Sequence, residues 1–380
     1  MAVYVVKADD SVETIAAAAG VSVEQLVSEN QIPYPYRLAI GQALYLPAEM
    51  TVPGREINTN GYAYPFIGNY VLRRTLPYLS SLSVFSYGFT TAGELVPPRL
   101  PDVWMIQAAE EYGTEAILTL TPLDEAGQFN NYLIHAVVQN PESRRSLEEN
   151  LLAEVREKGY AGVDVDFEYI LAEDRDAFSL FVKELTEAMH GEGRTVSVAL
   201  APKTSANQPG LLYEGKDYAA LGAAADRVLL MTYEWGYKYS EPMAVAPLPQ
   251  VRQVVEYAVT EIDPAKILLG MPNYGYDWPL PYVPGETAAR TIGNVEAVQI
   301  AIENGAEIRF DETAQSPWFS YESGGIAHEV WFEDVRSVQA KCDLIRASSL
   351  RGAGIWQINQ LFLAGWLQLE ENFHVLRKKQ

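Results

Sequence analysis

The chain has 380 residues, 48% hydrophobic and 21% charged, enough for one large core domain and a small accessory module. Its formal net charge of -22 repels phosphate backbones and anionic headgroups, so neither nucleic acid nor a membrane surface is expected as a partner. One cysteine, Cys342, allows no intramolecular disulfide, and His135, His190, His328 and His374 are too scattered for a metal site, so no metal, cofactor or redox chemistry is expected. The sequence shows no long apolar run and no basic-then-apolar leader, which argues against a membrane span or a standard secretory signal. Its 23 tyrosines and 7 tryptophans include rings available to pack against sugars, although most such rings fill cores or surfaces.

In chain order, residues 1–48 read as a βααβ module. Val3-Tyr4-Val5-Val6 is a short β-prone run. Asp10-Ser11-Val12-Glu13 resembles a capping box that opens an Ala-rich helix ending at Gly20. Ser22-Val23-Glu24-Gln25 repeats the start signal, the second helix reaches Asn30, and residues 41–47 return as a strand. Tyr4, Val6, Asn30, Gly41, Gln42, Leu44, Leu46 and Pro47 resemble the pattern of a LysM module, with Asp9-Asp10-Ser11 in place of the usual Gly-Asp-Thr. The resemblance implies binding of glycans that contain N-acetylglucosamine.

Residues 49–60, polar and rich in Pro and Gly, read as a linker. From residue 61 to 380, apolar runs alternate with amphipathic helical stretches. The runs are residues 64–68, 82–89, 116–120, 162–168, 195–201, 227–233, 266–272 and 354–358. Helical spacing is clear where Phe178, Phe181, Val182, Leu185 and Met189 recur, and again in residues 143–158 before Gly159. Strand and helix alternating eight times predict an α/β fold, a (β/α)8 TIM barrel. An α+β insertion at about residues 279–335 falls between strands 7 and 8, with short strands at 307–310, 318–321 and 329–332, and is expected to wall a groove.

The segment with chemistry is Gly162-Val163-Asp164-Val165-Asp166-Phe167-Glu168. Period-two alternation sends Val163, Val165 and Phe167 to the helix layer and Asp164, Asp166 and Glu168 to the barrel interior. Like charges so close oppose joint ionisation, so at least one carboxyl holds its proton near neutral pH. At the C-terminal mouth, where barrel chemistry sits, Glu168 is the one placed to donate it. An acid cluster neutralised by Arg or Lys is the structural alternative, but the strand carries no base.

The segment resembles the Asp-x-x-Asp-x-Asp-x-Glu signature of glycoside hydrolase family 18, with Ala161 in place of the first Asp. Met231-Thr232-Tyr233-Glu234 resembles the family's Met-x-Tyr-Asp, with Glu for Asp; Trp356 matches the tryptophan that floors the sugar site. Residues 270–278, with Pro272, Asn273, Tyr274, Gly275 and Trp278, resemble the end of strand seven, whereas Leu118-Thr119-Leu120-Thr121 stands where many chitinases have Ser-x-Gly-Gly. Singly, Tyr233 and Trp356 are explained equally well as packed rings; jointly placed at strand ends, they indicate a site.

The resemblance implies a retaining, substrate-assisted glycosidase with Glu168 as general acid and base. Asp166 would hold the acetamide N-H, Asp164 would share a proton with Asp166, and Tyr233 would donate to the acetamido oxygen. Trp356, Met231, Glu234, Asn273 and Tyr274 would contact substrate. The combination of LysM module and barrel looks most like the spore-germination, cortical-fragment-lytic N-acetylglucosaminidases. The expected partner is therefore peptidoglycan or a chitin-type glycan, and the expected location is the spore or cell wall, with secretion as the alternative. A chitinase and a non-catalytic glycan-binding barrel are the competing functions, and oligomeric state is not legible.

Overall fold

In the computed structural model, which describes residues 3–47 and 54–378, β1 (Val3–Val5) and β2 (Ala43–Tyr45) pair antiparallel beside α1 (Val12–Ala19) and α2 (Val23–Glu29). Val12, Ile15, Leu26, Ile32 and Leu44 form this module's buried core. The reciprocal cap of α1 joins Ser11 and Thr14, one residue later than the Asp10–Glu13 pair read from sequence. Asp10 is engaged elsewhere: its Oδ2 accepts from the Tyr4 hydroxyl at 2.8 Å and from the Lys7 amide at 2.7 Å. Asn30 ties the end of α2 to β2, donating to Leu26 and Tyr45 carbonyls and accepting from the Tyr45 amide.

Eight parallel strands close the barrel: β3 (Arg55–Ala63), β4 (Ser81–Phe89), β6 (Glu115–Leu120), β7 (Gly162–Val165), β8 (Thr195–Leu200), β9 (Arg227–Leu230), β10 (Ile267–Pro272) and β16 (Gly352–Trp356). Closure is made by β3, which pairs with β16 on one side and β4 on the other. β5 (Leu95–Val96) is a short antiparallel flank on β4, and β17 (Phe373–Val375) runs beside the start of β3.

The first strand is a correction. It was expected at residues 64–68 after a linker at 49–60, but it occupies Arg55–Ala63; residues 49–53 of that linker lie outside the described residues. Polar residues concealed the strand. Asn60 donates to Ser83 Oγ at 3.0 Å and accepts from Ser81 Oγ at 2.7 Å, while the Thr59 amide donates to Ser80 Oγ at 3.0 Å. Serines of the neighbouring strand thus satisfy the Asn60 side chain, and Thr59 Oγ1 donates to the Tyr78 carbonyl, so polar residues sit in a strand without an apolar pattern.

Between β10 and β16 lies a five-stranded antiparallel sheet, in the order β12-β11-β15-β14-β13. Its strands are β11 (Gly275–Leu280), β12 (Arg290–Ile292), β13 (Arg309–Asp311), β14 (Ser316–Ser323) and β15 (Ile326–Trp331), with the helix Asn294–Glu303 packed alongside. The insertion starts at Gly275, ahead of the expected 279, because Tyr276 and Trp278 pair with β15 and do not extend the barrel strand.

The N-terminal module docks on this lobe. The Ile308 amide donates to the Ile40 carbonyl at 2.9 Å, and a Cβ on Gly41, whose φ is 82°, would lie 1.8 Å from the Ile308 oxygen, so only glycine allows the approach. Gln31 bonds the main chain of Leu361 at 3.2 Å and of Leu363 at 2.6 Å, in the loop that follows the strand bearing Trp356. Among the described residues no helix is long and apolar enough to cross a membrane.

Candidate active site

β7 divides its side chains as alternation requires. Val163, Val165 and Phe167 are fully buried against the helix Arg175–His190, where the Phe167 ring lies 5.7 Å from Phe178 and 6.0 Å from Phe181. Asp164 and Asp166 are only 1% and 7% exposed, and Glu168, at the mouth, is half-buried. Regular pairing ends at Val165, yet the Asp166 amide still donates to the Leu120 carbonyl at 2.9 Å and keeps the acids in line.

The three carboxyls differ in their partners. Asp164 Oδ2 accepts from the Tyr62 hydroxyl at 2.9 Å and Oδ1 from Ser197 Oγ at 2.5 Å. No hydrogen bond joins Asp164 to Asp166, the pair for which a shared proton was expected. Asp166 Oδ1 is buried without a partner in the protein, an arrangement that costs free energy until a donor arrives. The Glu168 carboxyl makes no hydrogen bond among the described residues, but its main-chain oxygen accepts from Lys216 Nζ at 2.6 Å.

Burial raises the proton affinity of all three acids. Asp166 is pushed well above the usual carboxylate range by desolvation, then by the charges of Glu168 and Asp164, with Lys216 opposing. Glu168 is raised by desolvation and held back by Lys216. Asp164 is raised by desolvation and eased down by its bonds to Ser197 and Tyr62 and by Arg227. Asp166 and Glu168 therefore titrate as a pair that retains a proton above the ordinary carboxyl range of about 4.

If Glu168 must donate while the pair keeps one negative charge, kcat/KM should trace a bell with both limbs above ordinary carboxyl values. Activity then falls on the alkaline side as Glu168 loses its proton, and on the acid side as the second proton binds. A kcat/KM measurement across pH that shows no alkaline limb would remove Glu168 from the acid role.

Around the acids the remaining candidates converge. Tyr233 packs, as Trp356 does, against the cluster of Val245, Tyr274, Tyr276 and Trp278, feels the charges of Asp166 and Glu168, and its hydroxyl makes no hydrogen bond among the described residues. Gly270 makes room for it: a Cβ there would lie 2.1 Å from the Leu230 oxygen and 2.9 Å from Tyr233 Cε1. Trp356 is half-buried, with ring centroids 4.9 Å from Phe85, 5.7 Å from Tyr62 and 5.9 Å from Tyr64. Met231 joins the same cluster.

Two expected substrate contacts have other partners. The Asn273 amide donates to the carbonyls of Gln357 at 3.1 Å and Gln360 at 2.8 Å, so it braces the loop after Trp356. The Tyr274 hydroxyl is bonded to Glu234, as is Tyr276 at 2.9 Å. Glu234 itself adopts φ 68°, an uncommon backbone for a residue with a side chain, and its carboxyl is held by these two hydroxyls within reach of the Glu168 charge.

Sequence reasoning missed Tyr62, Tyr64, Phe85, Ser197 and Lys216. Tyr62 and Tyr64 went unread as site residues because the first strand was misplaced, and Lys216 sits in a loop with no periodic signal. A cleft of about 550 Å³ continues from Tyr64 and Phe85 past Phe66, Pro97 and Leu100 to Asp124. Apolar and aromatic walls with an acidic rim suit the C-H faces and hydroxyls of sugars. No group of three or more His, Cys, Asp or Glu able to hold a metal occurs among the described residues.

Comparison with known proteins identifies the family. The family model described as "Glycosyl hydrolases family 18" matches residues 127–360, and that of the LysM domain matches residues 4–47. The cortical fragment-lytic enzyme of Bacillus subtilis (strain 168) is 39% identical, over 100% of this chain and 99% of that protein. The spore cortex-lytic enzyme SleL of Bacillus megaterium QM B1551 has a similar solved structure, with TM-score 0.82 and 33% identity over 99% of this chain and 87% of the other. A chitinase of Chromobacterium violaceum ATCC 12472 superimposes with TM-score 0.78 and 27% identity, over 83% of this chain and 98% of the other.

Proposed function

Because the chain belongs to glycosyl hydrolase family 18 and carries a LysM module at its N-terminus, we propose that it hydrolyses β-1,4 bonds after N-acetylglucosamine in peptidoglycan fragments of the spore cortex, with retention of configuration. The observation that carries this reading is the 39% identity to a cortical fragment-lytic enzyme along essentially the full length of both chains. Module, barrel and lobe all fall within that likeness. Association with the spore or cell wall follows from the substrate.

The roles proposed for the residues follow from their placement. Family 18 is among the retaining glycosidases whose substrate supplies the nucleophile. The 2-acetamido carbonyl oxygen attacks C1, the glycosidic C1–O bond breaks, and the Glu168 proton passes to the leaving oxygen. Asp166, whose Oδ1 lacks a donor in the protein, accepts the acetamide N-H and offsets the positive charge on the oxazolinium ring. Tyr233 donates to the acetamido oxygen, and Trp356 lies under the sugar. Water then attacks C1 and yields its proton to Glu168, which restores the acetamide and the enzyme.

Chitin presents the same 2-acetamido group, and the likeness to the Chromobacterium violaceum chitinase favours it as the second reading. Mass spectrometry of digests of purified cortex fragments and of chitin oligomers tests the two. Cortex products ending in reducing N-acetylglucosamine are expected. Cleavage of chitin alone would establish a chitinase, and cleavage of neither would leave a glycan-binding barrel.

A further inference from the structure

Lys216 lies between β8 and the helix Tyr218–Ala224, and its exposure is 0%. An ammonium withdrawn from water is costly unless carbonyl oxygens and opposite charges replace its hydration. Here the replacement comes from the catalytic segment. Nζ donates at 2.6 Å to the main-chain oxygen of Glu168 and is attracted by the carboxylates of Glu168 and Asp166.

The loop is built to keep Lys216 there. The Lys216 carbonyl accepts from Lys203 Nζ at 2.8 Å, and that second buried lysine also donates to the Ala206 carbonyl at 3.0 Å. Gly215 is pressed against the residues that follow Glu168: a Cβ on it would lie 2.3 Å from the Ile170 oxygen. Among the described residues Lys216 is the one cation acting on Glu168 or Asp166; Arg227 acts on Asp164.

We propose that Lys216 is a positioning residue for the acid: it clamps the Glu168 peptide through its main-chain oxygen and supplies the positive charge that faces the Glu168–Asp166 pair. This rests on the glycosidase reading above. Burial pushes the Lys216 ammonium down to about 8, against the upward pull of Glu168 and Asp166 and with a further downward push from Lys203. Lys203 in turn faces Arg175, Asp217 and Glu261. The charge of the clamp is therefore lost in the alkaline range.

The sign of the effect is fixed by that geometry. Without the Lys216 charge, both carboxyls hold their protons to higher pH, so both limbs of the kcat/KM profile of Lys216→Met should move upward by roughly half a pH unit or more. A folded, active Lys216→Met enzyme with the wild-type profile would overturn the proposal.

Should that variant be unfolded or too slow to profile, full-length protein labelled with 13Cε-lysine decides. In wild type Lys203 and Lys216 should both titrate below the exposed lysines, and Glu168→Gln should lower one of the two further by removing the negative charge that supports Lys216. A lysine titration indifferent to Glu168→Gln overturns the proposal. The glycosidase reading itself fails on a different measurement, the turnover of Glu168→Gln at a single pH.

Discussion

Replacing Glu168 by glutamine is expected to lower kcat on cortex fragments by roughly 10²- to 10⁴-fold, equivalent to about 3–5 kcal/mol of transition-state stabilisation, while binding of the fragments persists. Glutamine has the shape of the acid but no proton to give to the leaving oxygen. The fold has little reason to respond, because the Glu168 carboxyl makes no hydrogen bond among the described residues, and the tie to Lys216 runs through the main-chain oxygen, which the substitution leaves in place. Burial raises the proton affinity of Glu168 above that of an ordinary carboxyl, so the loss should be largest on the acid side of the wild-type profile, where the donor keeps its proton. Steady-state kinetics with binding measured in parallel checks this. Turnover within roughly tenfold of wild type would place the acid elsewhere.

Asp166→Asn should be the next most damaging change, with kcat reduced by roughly 10²- to 10³-fold, the scale seen when one preorganised stabilising group is lost. A carboxylate with a buried, unpartnered oxygen beside two other acids is a poor structural element and a good acceptor for an N-H bound to developing positive charge. Asparagine fills the same space, presents no full charge and removes the repulsion from Glu168 and Asp164. Activity should therefore fall while the thermal midpoint stays level or rises, the pattern of a site that trades stability for function. Kinetics and thermal unfolding on one preparation check both halves. A lowered midpoint with kcat near wild type would make Asp166 a structural residue.

Asp164 behaves differently because its surroundings do. Tyr62 and Ser197 each donate to one of its oxygens, so it is a satisfied buried acid whose charge is felt by Asp166. The contrast between one paired and one unpaired aspartate, two residues apart on the same face, fits the proposed roles, with Asp166 offered to the substrate and Asp164 behind it.

Much of this protein is legible in the residue order. The two periodicities, 3.6 in the helices and 2 in the strands, identify an α/β barrel because they record which faces are apolar. Alternation in Gly162-Val163-Asp164-Val165-Asp166-Phe167-Glu168 places three acids inside and three apolar side chains outside, and the buried aspartates and the phenylalanine stack follow it. Tertiary structure decided what local patterns do not encode. The first strand was hidden because Thr59 and Asn60 are satisfied by serines about 20 residues away. Asn273 and Tyr274 match a motif, yet their polar atoms are taken by the Gln357 and Gln360 carbonyls and by Glu234. Lys216, 48 residues from Glu168 along the chain, reaches it only after the barrel closes, since a charge partner in space leaves no spacing in sequence.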